Sequence, residues 1–130
     1  MPIEVFDTKA FGHETKKRTV VMDTNRFHVW IHYYTPDQMD EMHCHNQDQT
    51  FQIIEGELTM NFPDGGKAVL TPGMMATITG GSFYQLHNTG GAPLIMIGTR
   101  SGATANTVKV EHGTGRIIND RINYAETAKR

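Results

Sequence analysis

The feature that most constrains this chain is a rhythm. Short runs rich in β-branched and aromatic residues, each closed by turn residues, recur from residue 18 to residue 100, whereas the helical spacing of apolar residues at i, i+3, i+4 and i+7 is missing before residue 115. The runs are RTVVMD (18–23), RFHVWIHYYT (26–35), TFQIIEGELTMNF (50–62), KAVL (67–70), MMATIT (74–79), SFYQLHN (82–88) and PLIMIGTR (93–100). Between them stand DTN, TPDQ, PDGG, TPG, TGG and TGGAP, the Gly/Pro/Asn/Asp chemistry of tight turns. Strands at this spacing predict an all-β fold: a sandwich, a jelly roll or a small barrel.

With 130 residues the chain encloses one core and does not divide into two. The expected organisation is an arm or edge strand over residues 1–17, a β-barrel over 18–110, and a tail over 111–130 with a short helix in INDRINYAETAKR as one option. Twelve basic and fourteen acidic residues leave a net charge of −2, with no basic run of the kind that tracks nucleic acid or a membrane surface. No signal peptide or apolar spanning run is evident, and the lone Cys44 has no internal disulfide partner. A cytoplasmic protein is expected. Because a strand such as RTVVMD near the start of a β sandwich needs its edge covered, a homodimer is expected as well.

Chemistry concentrates in EMHCHNQDQTFQIIEGEL, residues 41–58. Side chains alternate along a strand, so His43, His45 and Gln49 share one face while Met42 and Cys44 take the other. Two imidazoles on one strand converge above it, and a third donor four residues on closes the face of a metal ion. An isolated H-x-H pair is more often structural, so its surroundings decide. In RFHVWIHYYT the even positions His28, Trp30, His32 and Tyr34 share a face that is aromatic with donors; Phe27, Val29, Ile31 and Tyr33 form what reads as a plain core face.

Residues 37–56 resemble the first motif of the cupin superfamily, G-x5-H-x-H-x3-E-x6-G, with Asp37 at the first glycine, His43 and His45 at the histidines, Gln49 at the glutamate and Gly56 at the last glycine. The second motif, G-x5-P-x-G-x2-H-x3-N, is met by Gly73, Thr79, Gly81, Tyr84 and Asn88. The resemblance implies a cupin jelly-roll barrel in which His43, His45, Gln49 and Tyr84 meet. It also implies that Trp30, His32 and Tyr34 look into the barrel beside them.

Two of the four ligand positions are altered. A glutamine carbonyl is a usable hard ligand without charge, whereas a phenol must lose its proton to bind strongly, which a ferric ion promotes best. His87 replaces Tyr84 only if the strand slips or bulges, since alternation puts it on the other face. Inward parity assigns the pocket wall to Phe51, Met60 and Met96 beside Trp30 and Tyr34, a lining suited to a small, partly apolar molecule. His13 and His112 are peripheral and receive no role.

The expected function is therefore that of a small metal-dependent enzyme. One divalent or ferric ion (Zn, Mn, Ni or Fe) on His43, His45, Gln49 and Tyr84 acts as a Lewis acid in lyase, isomerase or cyclase chemistry on a small oxygenated substrate, with Tyr84 or His32 moving the proton. An iron-dependent dioxygenase is one alternative. A metal-free cupin binding a small ligand is another.

Overall fold

The structure is a computed structural model and describes residues 2–118. All of INDRINYAETAKR after Ile118, where the short C-terminal helix was an option, lies outside the described residues. Among the described residues one α-helix, α1 (Thr8–Thr15), is followed by eleven strands, with a 3-10 turn at Thr104–Asn106 between the ninth and the tenth: β1 (Arg18–Asp23), β2 (Phe27–Tyr34), β3 (His43–His45), β4 (Gln49–Glu55), β5 (Leu58–Asn61), β6 (Lys67–Leu70), β7 (Met75–Ile78), β8 (Gln85–Asn88), β9 (Leu94–Ser101), β10 (Lys109–Glu111) and β11 (Ile117–Ile118). They form a five-stranded sheet in the order β1-β2-β9-β4-β7 and two three-stranded sheets, β11-β10-β3 and β6-β5-β8. This is the all-β jelly roll that the motif spacing implies.

The alternation of the strands explains where the core lies. On β2, β4 and β9 the inward positions carry Trp30, Tyr34, Phe51, Ile53, Leu94 and Met96, which join Leu58, Met60, Leu70, Tyr84 and Leu86 from the facing strands in one cluster. Burial of such side chains, at about 1.5–3 kcal/mol each, drives the sheets together. The motif positions do the folding work between strands. Asp37, Gly56, Gly73 and Gly81 all have positive φ, at 67°, 88°, 93° and 87°, so the aspartate at the first position adopts the backbone that a glycine would supply. At Gly56 a Cβ would also fall 2.5 Å from the Pro93 carbonyl oxygen. Asn88 is buried, and its amide donates to the carbonyls of Tyr34, Thr35 and Ala92. It ties β8 to the end of β2.

Two expectations need revision. Within residues 1–17, expected to be an arm or an edge strand, residues 8–15 form a helix. Asp7 caps it by accepting the Ala10 N–H at 3.1 Å, and Gly12 lets it dock so closely that a Cβ there would lie 2.9 Å from Ile95. Eight residues are too few to show helical periodicity, and docking supplies what propensity does not. Because α1 lies against β2 and β9 from outside, the Val29, Ile31 and Tyr33 face is the outer face of the barrel under the helix, and the aromatic face is the core.

Candidate functional site in the barrel interior

The four residues singled out by motif spacing meet. β3 brings His43 and His45 in with ring centroids 4.9 Å apart, and Tyr84 is held opposite by reciprocal backbone hydrogen bonds with His43, both 2.9 Å. The Tyr84 ring lies 4.7 Å from that of His43 and 6.5 Å from that of His45. Gln49 opens β4, and its amide donates to Tyr84 Oη at 2.6 Å. All four are buried.

A fifth residue governs them. Arg100, buried on β9 directly opposite Gln49, donates its Nε–H to Gln49 Oε1 at 2.9 Å. A guanidinium only donates, so it dictates which end of the amide faces which neighbour: oxygen to Arg100, nitrogen to Tyr84. Its position was readable from parity, since Met96, Gly98 and Arg100 point the same way on β9. A charged residue at the end of a strand reads as surface, and so it was missed. Gly98 makes room for the indole of Trp30: a Cβ there would stand 2.1 Å from the Trp30 ring.

The electrostatics follow from burial and from this cation. His43 donates Nδ1–H to the Glu41 carbonyl at 2.6 Å, which leaves its proton on Nδ1 and the lone pair on Nε2. Burial lowers its pKa to about 4, against the Glu41 hydrogen bond, with Lys109 and Arg100 adding to the depression. Burial and then Arg100 push His45 far below the ordinary imidazole value. Both rings are neutral at pH 7. Asp40, three residues upstream, goes the other way: burial raises its carboxyl to about 7, against the hydrogen bond it accepts from the Leu86 N–H.

A cavity of about 490 Å³ opens on this group and is bounded by Trp30, His32, Tyr34, Phe51 and Met96 among others. Met60, expected on its wall, packs in the core and does not line it. His32 lines it but stacks on Tyr34 at 4.0 Å. Its charged neighbour is Arg18, and that cation adds to burial in holding the ring neutral. His87 points outward and meets Asp37 at 2.7 Å, as alternation requires. Sequence reasoning also passed over Lys16, Lys17, Arg18, Asp40 and Lys109, all of which line the cavity.

The donor set can be tested for a metal ion. Two neutral imidazoles suit one, but Gln49 is committed at both ends, its oxygen to Arg100 and its nitrogen to Tyr84. No group of three or more His, Cys, Asp or Glu residues able to hold a metal occurs among the described residues. An ion on His43 and His45 would have two protein ligands, fewer than the three of a catalytic zinc site, with a guanidinium at its side. The four-residue ligand set does not fit as arranged.

The profile of the cupin domain family matches residues 30–99. Among solved structures the chain is similar to an uncharacterised conserved protein with a double-stranded β-helix domain from Klebsiella pneumoniae, at 22% identity over 84% of this chain and 98% of that one, with a TM-score of 0.70. It is similar to a protein from Bacillus halodurans at 17% identity, covering 90% and 88% of the two chains with a TM-score of 0.67. A cupin domain from Bordetella pertussis matches at 23% identity over 66% and 92%, with a TM-score of 0.58. No curated protein matches the chain. At these identities the neighbours speak to the fold. No helix among the described residues is long and apolar enough to cross a membrane.

Proposed function

The chain belongs to the cupin domain family, and on that footing we propose that its barrel interior is the site of a non-oxidative enzyme, a lyase, isomerase or cyclase that moves a proton on a small oxygenated substrate. The observation that carries this reading is the hydrogen-bond chain from Arg100 through Gln49 to Tyr84, which ends beside the imidazole of His43. The amide N–H donated to Tyr84 Oη stabilises the charge that develops as the phenol gives up its proton. His43, with its proton fixed on Nδ1, offers Nε2 as the acceptor. A proton donor and a proton acceptor thus flank one small volume walled by Trp30, Phe51 and Met96. When Tyr84 gives a proton and His43 takes one, the pair is reset by a single proton passing between them or through solvent.

A second reading has its own support in the convergence of two neutral imidazoles at 4.9 Å. In it a divalent or ferric ion sits on His43 and His45, and Gln49 joins only by leaving Arg100. A homodimer also remains proposed, because β1 is an edge of the five-stranded sheet; sedimentation at micromolar concentration checks it.

The test is proton exchange. Protein made without a histidine tag is incubated in D2O with a panel of small hydroxy and oxo compounds, and loss of C–H signal is followed by proton NMR. The expected result is catalysed exchange that survives chelation and falls about a hundredfold or more in Tyr84→Phe. Exchange abolished by chelator and restored by one equivalent of metal favours the ion. Turnover that consumes dioxygen makes the chain an oxygenase, and saturable binding without exchange makes it a ligand-binding module.

A further inference from the structure

Asp40 stands three residues before His43, so strict alternation would turn the two side chains to opposite faces. Both nevertheless line the cavity. The segment meets the strand across from it at Met39↔His87 and again at His43↔Tyr84, which sets three intervening residues against two. The extra residue is a bulge, and it turns Asp40 inward. Asp40 is held there opposite Leu86, whose carbonyl accepts the Asp40 N–H at 3.1 Å and whose own N–H donates to Asp40 Oδ1 at 2.8 Å. The Gln85 side-chain amide adds a bond to the Asp40 carbonyl at 2.9 Å. Because Leu86 and Tyr84 are two residues apart and both buried, Asp40 sits about 7 Å, one pleat repeat, along the wall from Tyr84 and His43. That spacing suits a second oxygen of the same small molecule rather than the one Tyr84 serves.

We propose that Asp40 is a second catalytic acid of this cavity, and that its proton goes to the departing hydroxyl of a small β-hydroxycarbonyl substrate, which the site dehydrates. This rests on the proton chemistry proposed above and narrows it to the lyase. With Oδ1 taken by the Leu86 N–H, a proton on the carboxyl resides on Oδ2. Burial raises the group to about 7, against the Leu86 hydrogen bond and the charge of Lys109, so much of it is a carboxylic acid at neutral pH. Lys109 and Glu41, the charged groups beside it, are ion-paired with each other. In the reaction His43 Nε2 takes the proton from the carbon next to the carbonyl while Tyr84 hydrogen-bonds the carbonyl oxygen, and the C–H electron pair becomes the new C=C bond. The C–O pair leaves with the hydroxyl oxygen, which accepts the Asp40 proton and departs as water. Hydroxide is a poor leaving group, so elimination needs an acid at this second oxygen, whereas enolisation alone does not. The proton on His43 returns to Asp40 through solvent, and the sum is substrate to unsaturated carbonyl compound plus water.

Exchange and elimination separate in one experiment. In D2O, proton NMR follows exchange next to the carbonyl in butanone and cyclohexanone, and both exchange and loss of water in 4-hydroxybutan-2-one and 3-hydroxycyclohexanone. The native protein is expected to exchange the ketones and to dehydrate at least one hydroxyketone. Asp40→Asn keeps an oxygen for the Leu86 N–H but has no acidic proton. Shown by thermal melt to be folded, it should retain exchange within about threefold while dehydration falls about a hundredfold. A folded Asp40→Asn that dehydrates at the native rate, or that loses exchange and dehydration alike, overturns the role of Asp40 and leaves the proton chemistry standing. Exchange by the native protein with neither hydroxyketone dehydrated does the same and needs no variant. Native protein that neither exchanges nor dehydrates removes both. Dehydration that survives Tyr84→Phe but not Asp40→Asn sustains Asp40 and removes the part given to Tyr84.

Discussion

His43 and His45 inside the barrel differ from His13 and His87 outside it in everything but their side chain. The outer pair meet carboxylates: His13 contacts Glu55 at 2.9 Å, where α1 lies over β4, and His87 contacts Asp37 at 2.7 Å beside the turn into the first motif. The inner pair meet a phenol, each other and the field of Arg100 and Lys109. Outside, an imidazole serves as one half of a partly solvated pair whose contribution is small. Inside, burial and nearby cations hold it neutral with a lone pair to offer. The lesson is that the surroundings, set by strand parity, decide whether a histidine is structural or chemical.

Acidification should break the contrast most forcefully. His28 and His43 have folded pKa values of about 4 against 6.5 for the free side chain, so the unfolded chain binds more protons in that window and stability rises with pH. Their contribution is complete above about pH 6.5 and is lost as the pH falls toward 4, at up to about 1.4 kcal/mol per pH unit for each proton. His32 and His45, also depressed, add to the loss. Asp40 opposes it, since its folded value of about 7 exceeds its ordinary 3.8; what it contributes is present when protonated and is lost as the pH rises through 7. Urea unfolding at pH 7, 6, 5 and 4 should show a steep net decline, and Asp40→Asn should steepen it.

Arg100→Met comes next. It leaves the buried Gln49 oxygen without its donor and should cost about 1–3 kcal/mol in urea unfolding. It should also raise the proton affinity of His45, because a nearby cation is gone. Gly98→Ala drives a Cβ into the Trp30 ring and should cost about 1–3 kcal/mol with a shift in tryptophan emission. On the outer side, His87→Ala should cost less than about 1 kcal/mol, and the effect should shrink further in salt. An outer substitution as damaging as an inner one would erase the distinction.

Much of this could be read without coordinates, for a physical reason. Strand limits depend on local turn chemistry and alternation, so runs such as 18–23 and 67–70 coincide with β1 and β6. The meeting of His43, His45, Gln49 and Tyr84 was carried by spacing, because the turns at Asp37, Gly56, Gly73 and Gly81 force the backbone path. What eluded reading depends on contacts distant in sequence. The helix α1 owes its place to Gly12 against Ile95. The commitment of Gln49 to Arg100 spans 51 residues, and Lys16, Lys17 and Arg18 look like ordinary surface charge until β1 carries Arg18 over Trp30. Met60 has inward parity, yet inward on β5 means packed core rather than cavity wall.

The most direct test of the interior as an acid–base site is the nitrogen-15 NMR spectrum of the imidazoles at pH 7, in protein made without a histidine tag, before and after one equivalent of zinc. The expected spectrum shows His43 and His45 neutral, with the His43 proton on Nδ1 and neither ring shifted stoichiometrically by zinc. A one-to-one shift of both rings would contradict it and would mean that Gln49 gives up Arg100 to complete a metal centre.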